Sequence, residues 1–136
     1  MKVVLDDGAY VPELAHDIDA GYDIRTPVGF RVHPRNKIII RTGIHVQLTE
    51  GTCGQIWSKS GLNMNSDIVS TGLIDEGYSG EIVVKLYNLG DTTRSFNVGD
   101  KITQLVIVKC EHPTIELVDK LDDSERGDSG FGSTGR

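Results

Sequence analysis

The chain has only two cysteines, one tryptophan and four histidines, and they stand at no spacing that makes a metal site. Cys53 and Cys110 each sit in an apolar, strand-like run without a Cys-x-x-Cys partner, a pattern that suits free thiols in a packing role. His16, His33, His45 and His112 are scattered, with no Glu motif beside them, which argues against a histidine-ligated metal. Long hydrophobic runs are missing as well. A stretch such as Ile38-Ile39-Ile40 is far too short to span a bilayer, so no membrane association is expected. Basic charge is in deficit: 14 Lys and Arg stand against 20 Asp and Glu, for a net charge of −6. A protein that tracks nucleic-acid backbones needs clustered cations to displace counterions, and this chain does not have them. The N-terminus turns acidic at Asp6 and Asp7 before a signal-peptide core can form, so the expected location is a reducing cytoplasm.

What is present is β pattern. A length of 136 residues suits one domain, and 38% hydrophobic and 25% charged residues are ordinary for a soluble protein. Short alternating runs cover 1–5, 28–32, 37–42, 44–48, 52–57, 81–89, 94–98 and 99–108, with 114–118 as a last strand-like run. Pro34, Gly43 and Gly51 punctuate them. No helical period competes beyond a short turn at 62–65. The spacing predicts an all-β fold, an antiparallel sandwich or barrel, with a packed body over 1–118. From Asp119 the composition turns charged and then glycine-rich, which predicts a flexible C-terminal arm over 119–136.

Four stretches and one lone strand residue carry chemistry. Thr71-Gly72-Leu73-Ile74-Asp75-Glu76-Gly77-Tyr78-Ser79-Gly80-Glu81 reads as a strand end, a hairpin whose freedom comes from Gly77 and Gly80, and a returning strand. Asp75 at its tip either acts as a general base or caps its own turn. Ser58-Lys59-Ser60-Gly61-Leu62 offers a cation, hydroxyls and a glycine amide. That set suits phosphate oxygens or a plain polar turn. Asp23, in Asp19-Ala20-Gly21-Tyr22-Asp23, either faces a metal-bound water or caps a turn. Gln104, the odd polar member of its strand, is either buried and satisfied or site-facing. The tail from Arg126 to Arg136 holds Phe131 among glycines and hydroxyls, fit to wrap an anion and stack on a base, or simply a loose end.

Taken together, five stretches resemble the ordered motifs of the homotrimeric dUTP diphosphatases: Ala20 to Ile24, Ser58 to Leu62, Gly72 to Glu81, Gly99 to Leu105 and Arg126 to Gly135. The resemblance covers nearly the whole chain, and its third and fifth motifs are the most specific. It implies a jelly-roll fold with three active sites shared between subunits, and hydrolysis of dUTP to dUMP and pyrophosphate. That reaction limits uracil incorporation into DNA and supplies dUMP for thymidylate synthesis. By motif position, Asp75 is implied to activate the water that attacks the α-phosphorus, with Tyr78 against the deoxyribose. The backbone of Gly72, Leu73 and Ile74, with Val83, is implied to read the uracil edge, and Phe131 to stack on its face. Phosphate contacts fall to Lys59, Ser60, Gly61, Gln104, Arg126, Gly132 and Ser133. Magnesium is implied to ride on the triphosphate, touched by Asp23 through water.

The second motif departs from the family pattern, because Ser58-Lys59 replaces a common Pro-Arg and loses the bidentate fork while keeping the charge. Lys101 likewise replaces a common Arg and is read as a structural change. Two other functions remain in view. A dCTP deaminase shares the fold, but its catalytic Glu position is Lys85 here. A viral or prophage regulator would use the scaffold to bind a protein partner, a role that an intact Asp75 and a complete tail disfavour.

Overall fold

A computed structural model describes residues 1–124 and 127–128. Alternation of apolar and polar residues makes its strands: β1 (Lys2–Leu5), β2 (Gly21–Arg25), β3 (Phe30–Val32), β4 (Lys37–Gln47), β5 (Thr52–Trp57), β6 (Ile68–Ile74), β7 (Glu81–Asn88), β8 (Arg94–Phe96) and β9 (Lys101–Lys109). One helix, α1 (Ser60–Ser66), extends the helical turn expected at 62–65 by two residues at its start and one at its end. The main sheet is antiparallel in the order β1-β4-β7-β6-β5-β9-β2, and β3 with β8 makes a separate ribbon in which Phe30 and Phe96 stack at 4.7 Å. Ile82, Val84 and Leu86 of β7 point inward with Ile24, Ile44, Ile56, Ile68, Ile102 and Leu105, forming one core of almost fully buried side chains. Fully burying each such side chain contributes about 1.5–3 kcal/mol. The all-β expectation therefore holds.

Three local expectations are corrected. Gly43 does not end a strand: β4 runs through it with φ +65°, and the register with β7 shifts between Arg41 and His45. Side chains fill the ladder bonds lost at this bulge. Thr42 Oγ1 donates to Ile82 O at 2.6 Å, and Gly43 N donates to Glu81 Oε1 at 2.9 Å. The segment 114–118 has no regular structure, and Ile115 and Leu117 stand exposed. Alternation there meets no strand edge able to accept a ladder. Gly21 to Arg25, which is not among the strand runs read from sequence, is in contrast a strand, because β9 supplies the edge it needs.

The sheet's distinctive feature is that β6 changes partner part-way. Ile68, Val69 and Ser70 pair with Asn88, Tyr87 and Leu86 of β7, whereas Thr71 to Ile74 pair with Trp57 to Gly54 of β5. Beyond Ser70 the facing edges of β6 and β7 part, and a notch opens between them.

Candidate active site

The notch is a cleft of about 320 Å³ lined by Leu73, Ile74, Asp75, Tyr78, Glu81 and Val83. Since the β6–β7 ladder stops at Ser70 and Leu86, the backbone groups of Gly72 to Ile74 that point away from β5 have no ladder partner, and neither do those of Val83 that point toward β6. Free peptide donors and acceptors held on rigid strands suit recognition of a flat heterocycle edge. Asp75 follows β6 directly, with its side chain exposed and its carbonyl accepting the Tyr78 N–H at 3.0 Å. The Tyr78 hydroxyl donates to Glu81 O at 3.0 Å, which lays the ring along the returning strand.

Gly77 and Gly80 are not there for left-handed backbone, since neither has a φ in that region. Gly80 is needed for space. A Cβ on it would lie 2.8 Å from Tyr78 Cε2 and closer still to the rest of the ring's hydroxyl end, whereas one on Gly77 would meet nothing. Glu81, nearly buried, anchors the start of β7 by accepting from Gly43 N and pairing with Arg41 at 2.5 Å.

A second cluster lies on β2, β5 and β9. The Asp23 carboxylate is only 4% exposed and takes Lys59 Nζ on Oδ1 and Lys101 Nζ, at 2.5 Å, on Oδ2. Burial pushes this carboxyl up, but hydrogen bonds and charge from Lys101 and Lys59 outweigh it and hold the group below its ordinary 3.8. Asp23 caps no turn; each of its oxygens carries an ammonium partner, and the remaining lone pairs are what it has to offer a metal-bound water. Gln104 pairs across from Asp23, lies over Gly21 where a Cβ would touch its Oε1 at 3.1 Å, and donates from Nε2 to Ser58 O at 3.3 Å. It is thus half-buried and partly satisfied. Ser58 Oγ accepts from Ser70 N at 2.8 Å, and Ser70 Oγ meets Thr103 Oγ1 at 2.6 Å. These bonds fasten the corner that presents Lys59, and Ser60 and Gly61 beside it are exposed.

The two clusters do not meet within one chain. Asp23, Gln104, Trp57 and Thr71 are successive cross-strand partners, so Asp23 and Thr71 are three interstrand steps apart, about 14 Å along the sheet. Asp75 lies four residues beyond Thr71, roughly a further 13 Å.

A family model described as dUTPase matches residues 7–135. This chain belongs to the dUTPase family. It is 38% identical over 134 residues to the deoxyuridine 5'-triphosphate nucleotidohydrolase of Swinepox virus, covering 98% of this chain and 94% of that relative. To the enzyme of the same name from Tropheryma whipplei (strain Twist) it is 42% identical over 138 residues, with the same coverage. A solved structure of a Staphylococcus bacteriophage 80alpha dUTPase variant with dUpNHpp superposes with a TM-score of 0.94 at 30% identity, over 99% of this chain and 98% of that one. The curled antiparallel sheet is the dUTPase jelly roll.

Within that family frame, the residues expected around the base and sugar, Gly72, Leu73, Ile74, Tyr78 and Val83, gather at the notch with Asp75. Those expected at phosphate, Lys59, Ser60, Gly61 and Gln104, gather with Asp23 at the other cluster. Arg126, Phe131, Gly132 and Ser133 lie outside the described residues. Two neighbours of this cluster stand outside the expected site residues. Lys101, read from sequence as a structural change, is a direct partner of Asp23; its place three residues before Gln104 at a strand start was the available signal. Trp57 stands exposed in the row between Gln104 and Thr71, and an aromatic two residues before Lys59 was the clue.

Proposed function

We propose that this chain hydrolyses dUTP to dUMP and pyrophosphate, with Asp75 as the general base. A water proton passes to the Asp75 carboxylate, the water oxygen bonds to the α-phosphorus, and the bridging bond to the β-phosphate breaks to release pyrophosphate. The observation that carries this reading is the unpaired stretch of β6 and β7 edges that ends at an exposed carboxylate: a base-reading notch and a proton acceptor on one rigid support. Tyr78 packs against the deoxyribose, where a ribose hydroxyl would clash. Lys59, Ser60, Gly61 and Gln104 hold phosphates, joined by Arg126, Gly132 and Ser133 of an arm over 119–136 that closes on the body formed by 1–118, with Phe131 on the uracil face.

We further infer a homotrimer with shared sites, because Asp75 of one chain and Lys59 of the same chain stand too far apart along the sheet to serve one triphosphate. Magnesium fits as a companion of the substrate rather than a resident ion. Among the described residues no group of three or more His, Cys, Asp or Glu converges, and Asp23 offers at most an outer contact through water. Bound on the triphosphate, the ion neutralises charge and orients the phosphates. Deamination is disfavoured by Lys85, whose ammonium lies 5.4 Å from the centre of the Tyr87 ring at the position where a deaminase needs a carboxylate. Incubation of the purified protein with dUTP and magnesium tests the reading: equal amounts of dUMP and pyrophosphate are expected, and an inert dUTP pool would end it.

A further inference from the structure

Cys53 of β5 lies opposite Val108 of β9, and Cys110 follows two residues later, where its N–H donates to Gly51 O at 2.9 Å. Residues two apart on a strand share a face, so the turn out of β9 brings Cys110 to the side that carries Cys53. The two are therefore diagonal neighbours across the β5–β9 register, with Cys110 held opposite Gly51. Both are free, Cys53 buried and Cys110 half-buried, and both line a cleft of about 400 Å³ whose wall also includes Leu73, Asp75 and Glu76. A packing role for two separate thiols, the expectation from sequence, does not account for their sharing one cleft with Asp75.

We propose that Cys53 and Cys110 form a reversible intrachain disulfide, made by a peroxide-class oxidant, that slows turnover at the Asp75 cleft. Hydrogen bonding to Cys110 and then burial push the Cys53 thiol up, leaving it a poor first nucleophile. Cys110, the more accessible sulfur, therefore meets the oxidant first. Its thiolate attacks one peroxide oxygen: the S–O bond forms, the O–O bond breaks, and the departing hydroxide takes the thiol proton to become water. The Cys53 sulfur then attacks the Cys110 sulfur, the S–S bond forms, the S–O bond breaks, and a second water leaves with the Cys53 proton. Two electrons pass from the sulfurs to one peroxide.

The consequence for catalysis runs through Gly54, next to Cys53. A Cβ there would lie 2.8 Å from Leu105 Cδ1 and 3.2 Å from Ile74 Cβ, so β5 packs without slack against the residue that precedes Asp75. Drawing Cys53 toward Cys110 shifts that support, and small displacements of a catalytic group cost rate steeply. The effect on turnover rests on the assignment of Asp75 as the base; the disulfide itself does not.

The test treats the full chain with hydrogen peroxide, quenches it, and reads intact mass, peptide map and dUTP turnover. Expected are a loss of about 2 Da per chain, a Cys53–Cys110 cross-linked peptide, and a drop in turnover of about tenfold that dithiothreitol reverses. Cys110→Ser and, separately, Cys53→Ser should keep the reduced activity and lose the peroxide response. Oxidation to sulfinic acid without the cross-link, a cross-link between chains, or a disulfide with unchanged turnover each overturns the proposal. If the reduced protein does not hydrolyse dUTP at all, the functional reading fails instead, and mass and peptide map still decide the disulfide.

Discussion

The Lys101 ammonium sits 2.5 Å from Asp23 Oδ2 while Lys59 holds Oδ1, so a carboxylate almost shut off from water carries one cation on each oxygen. Lys59 can leave for a phosphate only if Asp23 keeps another counter-ion, and Lys101 is that ion. Lys101→Met should remove a charge-assisted bond and cost about 2 kcal/mol of stability at pH 7. Asp23 is held below its ordinary 3.8, so its contribution is present above that pH and lost as pH falls through the lower folded value. Urea unfolding at pH 7 and near pH 2 checks this: the gap between variant and parent should close in acid, and an equal gap at both would assign the effect to the lysine stem.

Asp75→Asn keeps the shape of the notch and removes the proposed proton acceptor. Turnover should fall on the order of a hundredfold or more, with affinity for a non-hydrolysable dUTP analogue nearly unchanged. Calorimetric titration beside rate measurement separates the two, and near-parent turnover would take Asp75 out of the mechanism.

Gly80→Ala drives a methyl into the Tyr78 ring, whereas Gly77→Ala, three residues away, meets open space. The first should destabilise by about 1–3 kcal/mol and raise KM by displacing the ring; the second should do neither. Thermal unfolding and kinetics of both variants provide the comparison, and equal behaviour would mean that the glycine serves the backbone.

His45 Nδ1 meets Ser79 O at 3.1 Å and Nε2 meets Asp6 Oδ2 at 3.5 Å. The Ser79 carbonyl, then Asp6 and the charge of Glu81, raise the imidazolium above its ordinary 6.5 against the pull of desolvation. Its stabilisation is therefore complete below pH 6.5 and fades as pH rises through the higher folded value. Denaturation midpoints across pH 5 to about 9 should decline through that window in the parent and flatten in His45→Gln. A parent curve as flat as the variant's would exclude the imidazolium as a contributor.

Light scattering at micromolar protein should return three times the chain mass. A monomer with full activity would mean that one chain folds its own phosphate cluster onto its own notch, against the separation along the sheet.

The alternation of Ile82, Val84 and Leu86 determines an inward face wherever the chain runs, and so β7 and most other strands could be read from sequence. The turn that joins Asp75 to Tyr78 was likewise legible, since its bond from Tyr78 N to Asp75 O is local, but the hairpin read around it does not form: β6 leaves β7 after Ser70 and pairs with β5. Contacts between distant segments were not legible. Whether Gly43 breaks a strand or bulges it depended on Thr42 finding Ile82 and on Glu81 reaching the Gly43 amide, both set by the register of β4 on β7. Alternation at 114–118 had no edge to join, and the same kind of signal at 21–25 did. Lys101 and Lys59 meet at Asp23, and Cys110 shares a cleft with Cys53, only because β9 lies between β2 and β5. Side-chain period is a property of neighbouring residues, while strand order and register are properties of the folded sheet; the first lies in the sequence, and the second decided which charges and which sulfurs stand together.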